Sequence, residues 1–370
     1  MATDGSSAMI DFVGPDIFGI EFSSVCNLRC VYCDVSAPGY EGRHTAADLL
    51  KKAQEIAEQT RPAFMNFTGI GELTTIPDWP ATVAPFLAIP GMKKALTTNL
   101  QKQMDAKEIE TLAAFDQISV SIDTADAELL REIRRKAELR NITTNLARIR
   151  AHSIKSGKPL PKLVFNAVVT DRNALAIHDL CAFGIACGMD VLFLIGLNDN
   201  AFFIDRALVR HVRHLPEAAF AEFMAQIRRS HDLLRAHGKE LHMTGDLEAY
   251  LYCRMNGIDA TAALKPGETR LCSQLWNYAV VKEDGRISHC CANMQSRKSL
   301  NEHAFVDIVE DEQVRAWRQS LLEGQDLPRE CRACHWARPC TPEKLHELVE
   351  GLTSPALSGR DRLQKVTRAR

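Results

Sequence analysis

Short apolar runs punctuate the chain at 17–23 (Ile-Phe-Gly-Ile-Glu-Phe-Ser), 63–68, 95–98, 117–123, 163–170 and 191–197. Each is four to eight residues long and rich in β-branched and aromatic side chains, which predicts strands. Between them apolar positions recur every three or four residues, the spacing of a helix with one buried face. Thr45 to Gln59 shows it with Ala46, Leu49, Leu50, Ala53, Ile56 and Ala57, and Thr45 is the expected N-cap. Further helices are predicted over 107–114, 127–135, 142–152 and 174–187, and two more over 198–240, broken at Leu215-Pro216. Strands alternating with helices at this interval predict βαβ units and a parallel sheet covered on both faces. A partial barrel and a doubly wound sheet both satisfy that alternation. In a barrel of this kind the chemistry lies at the C-terminal ends of the strands. Farther on, 271–291 reads as strand, Asp284-Gly285 turn and strand, with a cysteine near each outer end.

Composition narrows the classes. Of 370 residues 46% are apolar and 25% charged, ordinary for a soluble globular protein, and the length suits one large domain plus a smaller one. A net charge of −2 gives no pull toward nucleic acid or an anionic membrane. No apolar run approaches the length of a membrane span. The start Met-Ala-Thr-Asp-Gly lacks a secretion signal, so a cytoplasmic location is expected. Twelve cysteines are therefore anomalous, with three at 26–33 and seven beyond residue 250. In a reducing compartment they point to metal or cluster ligation rather than disulfides.

Cys26, Cys30 and Cys33 stand in the stretch Cys-Asn-Leu-Arg-Cys-Val-Tyr-Cys. Zinc normally takes four ligands in two separated pairs, which this tight triple does not supply. A [4Fe–4S] cube offered three thiolates keeps one iron open to another ligand. This CxxxCxxC spacing, with Tyr32 before the last cysteine, resembles the radical S-adenosylmethionine (radical SAM) superfamily. The resemblance implies a partial (β/α)6 TIM-like barrel, a cluster whose open iron chelates SAM, and release of a 5′-deoxyadenosyl radical. It further implies that Gly69, Gly71 and Glu72 of Gly-Ile-Gly-Glu meet the methionine amino group. Asn99, after Thr98, stands in the family's "TNG" position, with Leu100 replacing the glycine. Arg134 pairs with the SAM carboxylate in this reading, and Ser121 and Asn166 reach ribose or substrate. Asp123, at the same strand end as Ser121, is either a further ribose or substrate contact or a helix cap.

The second cysteine field holds Cys272, Cys290, Cys291 and then Leu-Pro-Arg-Glu-Cys331-Arg-Ala-Cys334, after a helix expected over 314–322. Hairpin pair plus CxxC could bind zinc as a treble-clef-like knob. The same features resemble the SPASM/twitch extension of radical SAM enzymes, which implies one auxiliary [4Fe–4S] cluster on Cys272, Cys290, Cys331 and Cys334. Cys340 follows, but Lys344 stands where a further ligand would fall, so the single-cluster form is expected. Cys181 and Cys187 read as core residues, and Cys253 or Cys291 as a hydrogen-atom donor.

The expected domains are an N-terminal extension (1–14), the barrel (15–240), the auxiliary domain (241–345) and a basic tail (346–370). The expected function is hydrogen abstraction from a carbohydrate-like or other natural-product substrate, by dehydrogenation or epimerisation, in secondary metabolism such as antibiotic biosynthesis. A flavodoxin- or ferredoxin-type protein is the expected reductant. Two alternatives stay open: a maturase of ribosomal peptides, and a non-enzymatic iron–sulfur or zinc module.

Overall fold

A computed structural model describes residues 9–198, 203–257, 264–291, 294–332, 334 and 337–353. The strands are β1 (Ile17–Ile20), β2 (Arg29–Cys30), β3 (Phe64–Phe67), β4 (Lys93–Thr98), β5 (Gln117–Ser121), β6 (Arg134–Arg135) and β7 (Lys162–Val169), followed by β8 (Val191–Gly196), β9 (Glu240–Met243), β10 (Thr269–Arg270), β11 (Tyr278–Val281), β12 (Arg286–Ser288), β13 (Gln295–Ser299) and β14 (Pro339–Cys340). Ten of them form one sheet in the order β13-β12-β11-β1-β3-β4-β5-β7-β8-β9. Pairing is parallel from β11 to β9 and antiparallel through the β11–β12–β13 meander.

All six expected strands are present, and the sheet extends past both ends of that set. β9 joins the far edge beside β8; its sequence Glu-Leu-His-Met carries no apolar run because it is an exposed edge. β11, expected only as a hairpin strand, also pairs parallel with β1, Tyr278 opposite Ile17, across a separation that no local pattern records.

The two faces of the sheet differ. Phe18, Ile20, Met65, Phe67, Leu96, Ile118, Val120, Phe165, Leu192 and Leu194 are almost wholly buried beneath the helices. Alternation of side chains along a strand puts the intervening residues on the other face. There Asn66, Thr97, Ser121, Asn166 and Phe193 are only half-buried. The expected burial on both faces therefore holds for one. A doubly wound sheet is covered by helices twice over; a single helical layer behind a polar inner face is a barrel wall. The two edges, β13 and β9, do not pair with each other, so the wall is open.

Helix ends show where local reading fell short. The first long helix runs Ala47–Thr60 with Ala46 as N-cap, and the Thr45 hydroxyl donates to the Glu21 carbonyl instead. Asp126, not Asp123, caps Ala127–Ile133, which stops short of Arg135 because Arg134 and Arg135 pair antiparallel with Cys30 and Arg29. Among the described residues the helix pair expected over 198–240 is one helix, Glu217–Ala236, after a 3-10 turn at Val212–His214.

A second, smaller core gathers Val13, Trp276, Cys290, Leu321, Cys331 and Val349. Arg318, fully buried on Glu312–Glu323, ties it together by donating to the carbonyls of Leu275 (2.8 Å), Ile10 (2.9 Å) and Val309 (2.6 Å). Of the segment expected as an N-terminal extension, the described residues 9–14 pack here: Val13 N donates to Trp276 O, and Trp276 Nε1 to Met9 O. Part of the expected tail is the helix Pro342–Thr353; the rest lies outside the described residues. No helix among the described residues is long and apolar enough to cross a membrane.

Candidate functional site

Beyond the C-terminal end of β1 the chain turns through Ser23–Val25 into Cys26. Long-range backbone bonds hold the loop that follows: Val31 N donates to Ile133 O (2.9 Å), and Asp205 N to Val31 O (2.7 Å). Arg29 Nη1 donates to the carbonyls of Cys26 and Leu28, each at 2.9 Å. Burial pushes the Cys26 thiol up to about 11 and that of Cys30 to about 12, and raises Cys33 as well. Without a metal these groups are neutral thiols, whereas a coordinated cation deprotonates them outright. Donors are already aimed at the sulfurs. Leu28 N lies 3.4 Å and Asn99 Nδ2 3.9 Å from Cys26 Sγ, and Arg134 Nη1 is 4.0 Å from Cys30 Sγ. Such hydrogen bonds stabilise thiolates and tune a cluster.

Behind the loop stands Asp123, wholly buried at the end of β5. It accepts Arg134 Nε and Nη2, each at 2.9 Å, Val168 N at 2.9 Å, and the Tyr32 hydroxyl. The Arg134 guanidinium also lies over the Tyr32 ring, 5.7 Å from its centroid. Bidentate pairing satisfies a buried guanidinium well. Arg134, expected to meet the SAM carboxylate, thus has a carboxylate of the protein as its partner. Tyr32 likewise serves the clamp. The sequence offered Asp123 two roles and did not single out this one.

Glu72, expected at the methionine amino group, likewise has partners within the protein. Its Oε1 accepts Thr98 Oγ1 (2.7 Å), Thr74 Oγ1 (2.9 Å) and Thr74 N (3.3 Å), and Oε2 accepts Asn99 N (2.7 Å). Burial raises this carboxyl, and the four donors oppose the rise. Glu72 therefore fastens the Gly-Ile-Gly loop to the end of β4. The glycines are required by space rather than by turn geometry, for neither has a positive φ. A Cβ on Gly71 would fall 2.4 Å from Ser23 O, and one on Gly69 2.5 Å from Glu21 Cγ. Leu100, in the glycine position of the motif, does adopt a left-handed φ of 50° while fully buried. Glu21 was missed by sequence reasoning. Fully buried, it accepts Ile70 N through Oε1, and Lys282 Nζ stands 2.6 Å from Oε2 as a charge contact rather than an aligned hydrogen bond. Burial pushes Glu21 up to about 7 against the pull of Lys282.

Ser121 and Asn166 are opposite each other on β5 and β7, half-buried on the polar face. Neither side chain has a hydrogen-bond partner among the described residues. Both are available to a ligand.

The second thiol group surrounds a cavity of about 210 Å³ lined by Cys272, Cys290, Cys291, Cys331 and Cys334. Arg270, which sequence reasoning passed over, holds the CxxC turn by donating to the carbonyls of Cys331 (2.9 Å), Arg332 (2.7 Å) and Ala337 (3.2 Å). Cys340 sits on β14 opposite Thr269 and does not line the cavity. Cys253 lies half-buried on the helix Gly245–Met255 and also stands outside it. Cys181 is in the core, its Sγ 3.6 Å from Ser230 O, and Cys187 packs against that core. Among the described residues no three His, Cys, Asp or Glu side chains converge as around a single ion. A cube holds each thiolate on a different iron and asks for a wider set.

Comparison with known proteins agrees with this geometry. The radical SAM superfamily model matches residues 20–170, and the SPASM iron–sulfur cluster-binding domain matches 272–335. GTP 3′,8-cyclase of Pseudomonas fluorescens (strain Pf0-1) is 26% identical over 197 residues, 52% of this chain and 55% of that protein. The chain thus spans about half the length of the curated relatives it matches. Streptococcus suis SuiB bound to S-adenosylmethionine superposes with a TM-score of 0.64 at 17% identity, covering 87% of this chain and 75% of that one. SuiB has also been solved bound to the precursor peptide SuiA, with a TM-score of 0.62 at 17% identity over 84% of this chain and 68% of that one. Native anSMEcpe with bound AdoMet gives 0.57 at 12% identity, covering 96% of this chain and all of that one. At these identities the structures speak for the fold. The chain belongs to the radical SAM superfamily, carries a C-terminal SPASM cluster-binding domain, and takes as cofactors SAM, the [4Fe–4S] cluster that binds it, and auxiliary iron–sulfur.

Proposed function

We propose that this enzyme abstracts a hydrogen atom from a carbohydrate-like or other natural-product substrate on the polar face of the sheet, as a dehydrogenase or an epimerase of secondary metabolism. When bound, the cluster on Cys26, Cys30 and Cys33 supplies an open iron for SAM and the electron that cleaves it. The protein's residues hold and shield that chemistry. Asp123, Arg134 and Tyr32 brace the thiol loop from behind, and Glu72 sets the Gly69–Gly71 backbone beside it. Asn99 reaches from the end of β4 toward Cys26. Ser121 and Asn166 carry the free hydrogen-bonding groups for ribose or substrate. Cys272, Cys290, Cys331 and Cys334 hold the auxiliary cluster. Of the two thiols expected to return a hydrogen atom, Cys291 borders the auxiliary cavity, and it is the one assigned that role here. The electron comes from a flavodoxin- or ferredoxin-type protein of the cytoplasm.

The observation that carries this reading is the thiol loop with donors aimed at its sulfurs, at the C-terminal end of the strands beside a polar, half-buried face. A peptide substrate is the second reading, favoured by the peptide-bound SuiB structure. The test is anaerobic reconstitution, reduction and incubation with SAM. Formation of 5′-deoxyadenosine is expected; none from a filled cluster would refute the assignment. Deuterium transfer from labelled sugars or from labelled peptides into 5′-deoxyadenosine then decides between the substrate classes.

A further inference from the structure

Five thiols line the auxiliary cavity, and a cube has four irons. The surplus arises from two neighbours in sequence. Adjacent residues of a strand point to opposite faces, so Cys290 and Cys291 could not share a cavity on an extended chain. They lie past the end of β12 at Ser288, where the backbone bends into a turn, and both reach inward. Cys291 is fixed there by its backbone N–H, which donates to Gln274 Oε1 at 2.8 Å. The residue is exposed as a whole, yet it lines the cavity beside Cys290, Cys272 and Cys334. Cys331 and Cys334, joined by a turn in which Cys334 N donates to Cys331 O at 3.2 Å, line it with Cys272. Cys290 and Cys291 thus open onto the same cavity, together with Cys272, Cys331 and Cys334.

We propose that Cys290 and Cys291 are interchangeable ligands of one iron in the auxiliary cluster, which draws four thiolates from five thiols. In the exchange one iron–sulfur bond to Cys290 breaks, one to Cys291 forms, and the Cys291 proton passes to Cys290; no electron moves. The thiol left off the iron is the one free to give up a hydrogen atom. This inference rests on the auxiliary-cluster assignment above.

The experiment uses the full chain with Cys26, Cys30 and Cys33 replaced by Ala, so that bound iron reports the auxiliary site alone. Iron and sulfide are measured, and each cysteine is followed by iodoacetamide labelling and peptide mass spectrometry before and after loading, with Cys340 as internal reference. In the loaded parent, Cys290 and Cys291 together are expected to take up about one label per chain. In the loaded Cys290→Ser form, iron is retained and Cys291 labelling slows about tenfold or more; in Cys291→Ser the same holds for Cys290. If loaded Cys290→Ser labels at Cys291 as fast as the apo protein does, the interchange is refuted. It is equally refuted if Cys290→Ser melts like the parent but takes up no iron while Cys291→Ser loads. A parent that takes up no iron would overturn the auxiliary-cluster assignment itself, and the interchange with it.

Discussion

The two thiol groups are built in opposite ways. Cys26, Cys30 and Cys33 come from one loop of eight residues, whereas the auxiliary cavity draws its thiols from three separate stretches, at 272, 290–291 and 331–334. Besides Arg29, which grips carbonyls within the first loop, an arginine stands behind each group, and the two are used differently. Arg134 grips a side-chain carboxylate and turns its remaining nitrogen toward a ligand sulfur; Arg270 grips three backbone carbonyls. A compact loop needs bracing at a point. A scattered set needs its chain segments tied. The N-terminal group should therefore fail through single side chains, and the C-terminal group through loss of the fold around it.

Cys30→Ala should have the largest effect. It should abolish 5′-deoxyadenosine formation and lower bound iron by about four atoms per chain, leaving auxiliary iron in place; loss of both clusters would erase the contrast between the groups. Next comes Asp123→Ala, which leaves the buried Arg134 guanidinium without its carboxylate. The cost expected is about 3–5 kcal/mol, seen as a fall in melting temperature of roughly 5–10 °C. A shift under a degree would show that the clamp does not brace the loop. Arg270→Ala removes three hydrogen bonds to carbonyls and should cost about 1–3 kcal/mol. Auxiliary iron should drop while SAM-dependent signals persist, and the reverse pattern would exchange the roles of the two arginines.

The smallest effect concerns Glu21, which joins the Gly-Ile-Gly loop to Lys282 of the auxiliary hairpin. Burial raises its folded-state pKa from 4.5 to about 7, so the folded chain keeps this proton to higher pH than the unfolded chain does. The stability it contributes is present in full below about pH 4.5 and is lost as pH rises through about 7. Relative to wild type, Glu21→Gln should gain stability across that window, measured by melting temperature against pH. A difference that does not change with pH would remove Glu21 as a titrating link between the two regions.

The contrast also explains what the sequence disclosed. A motif confined to eight residues is legible because spacing alone states it, and six strands were legible because each buries an apolar face. Cys272 and Cys290 were read as two ends of one hairpin; the helix Gln274–Asn277 stands between Cys272 and β11, yet both thiols line one cavity. Other contacts had no local signature: β11 beside β1, Asp123 on Arg134, Arg270 on the CxxC carbonyls, and Met9 to Val13 against Trp276. Glu72 and Arg134 were found by motif and given contacts with a ligand; the fold supplies them with protein partners. Composition could not foresee that, because a buried charge is satisfied by whichever group the tertiary structure delivers.

The central claim is that the Cys26, Cys30 and Cys33 cluster keeps one iron for SAM. Electron–nuclear double resonance of the reduced, reconstituted protein with SAM labelled by nitrogen-15 at the amino group and oxygen-17 at the carboxylate tests it directly. Hyperfine coupling from both labels to the cluster, absent in Cys30→Ala, is the expected result. A spectrum unchanged by labelled SAM, from a cluster shown to be present, would contradict it.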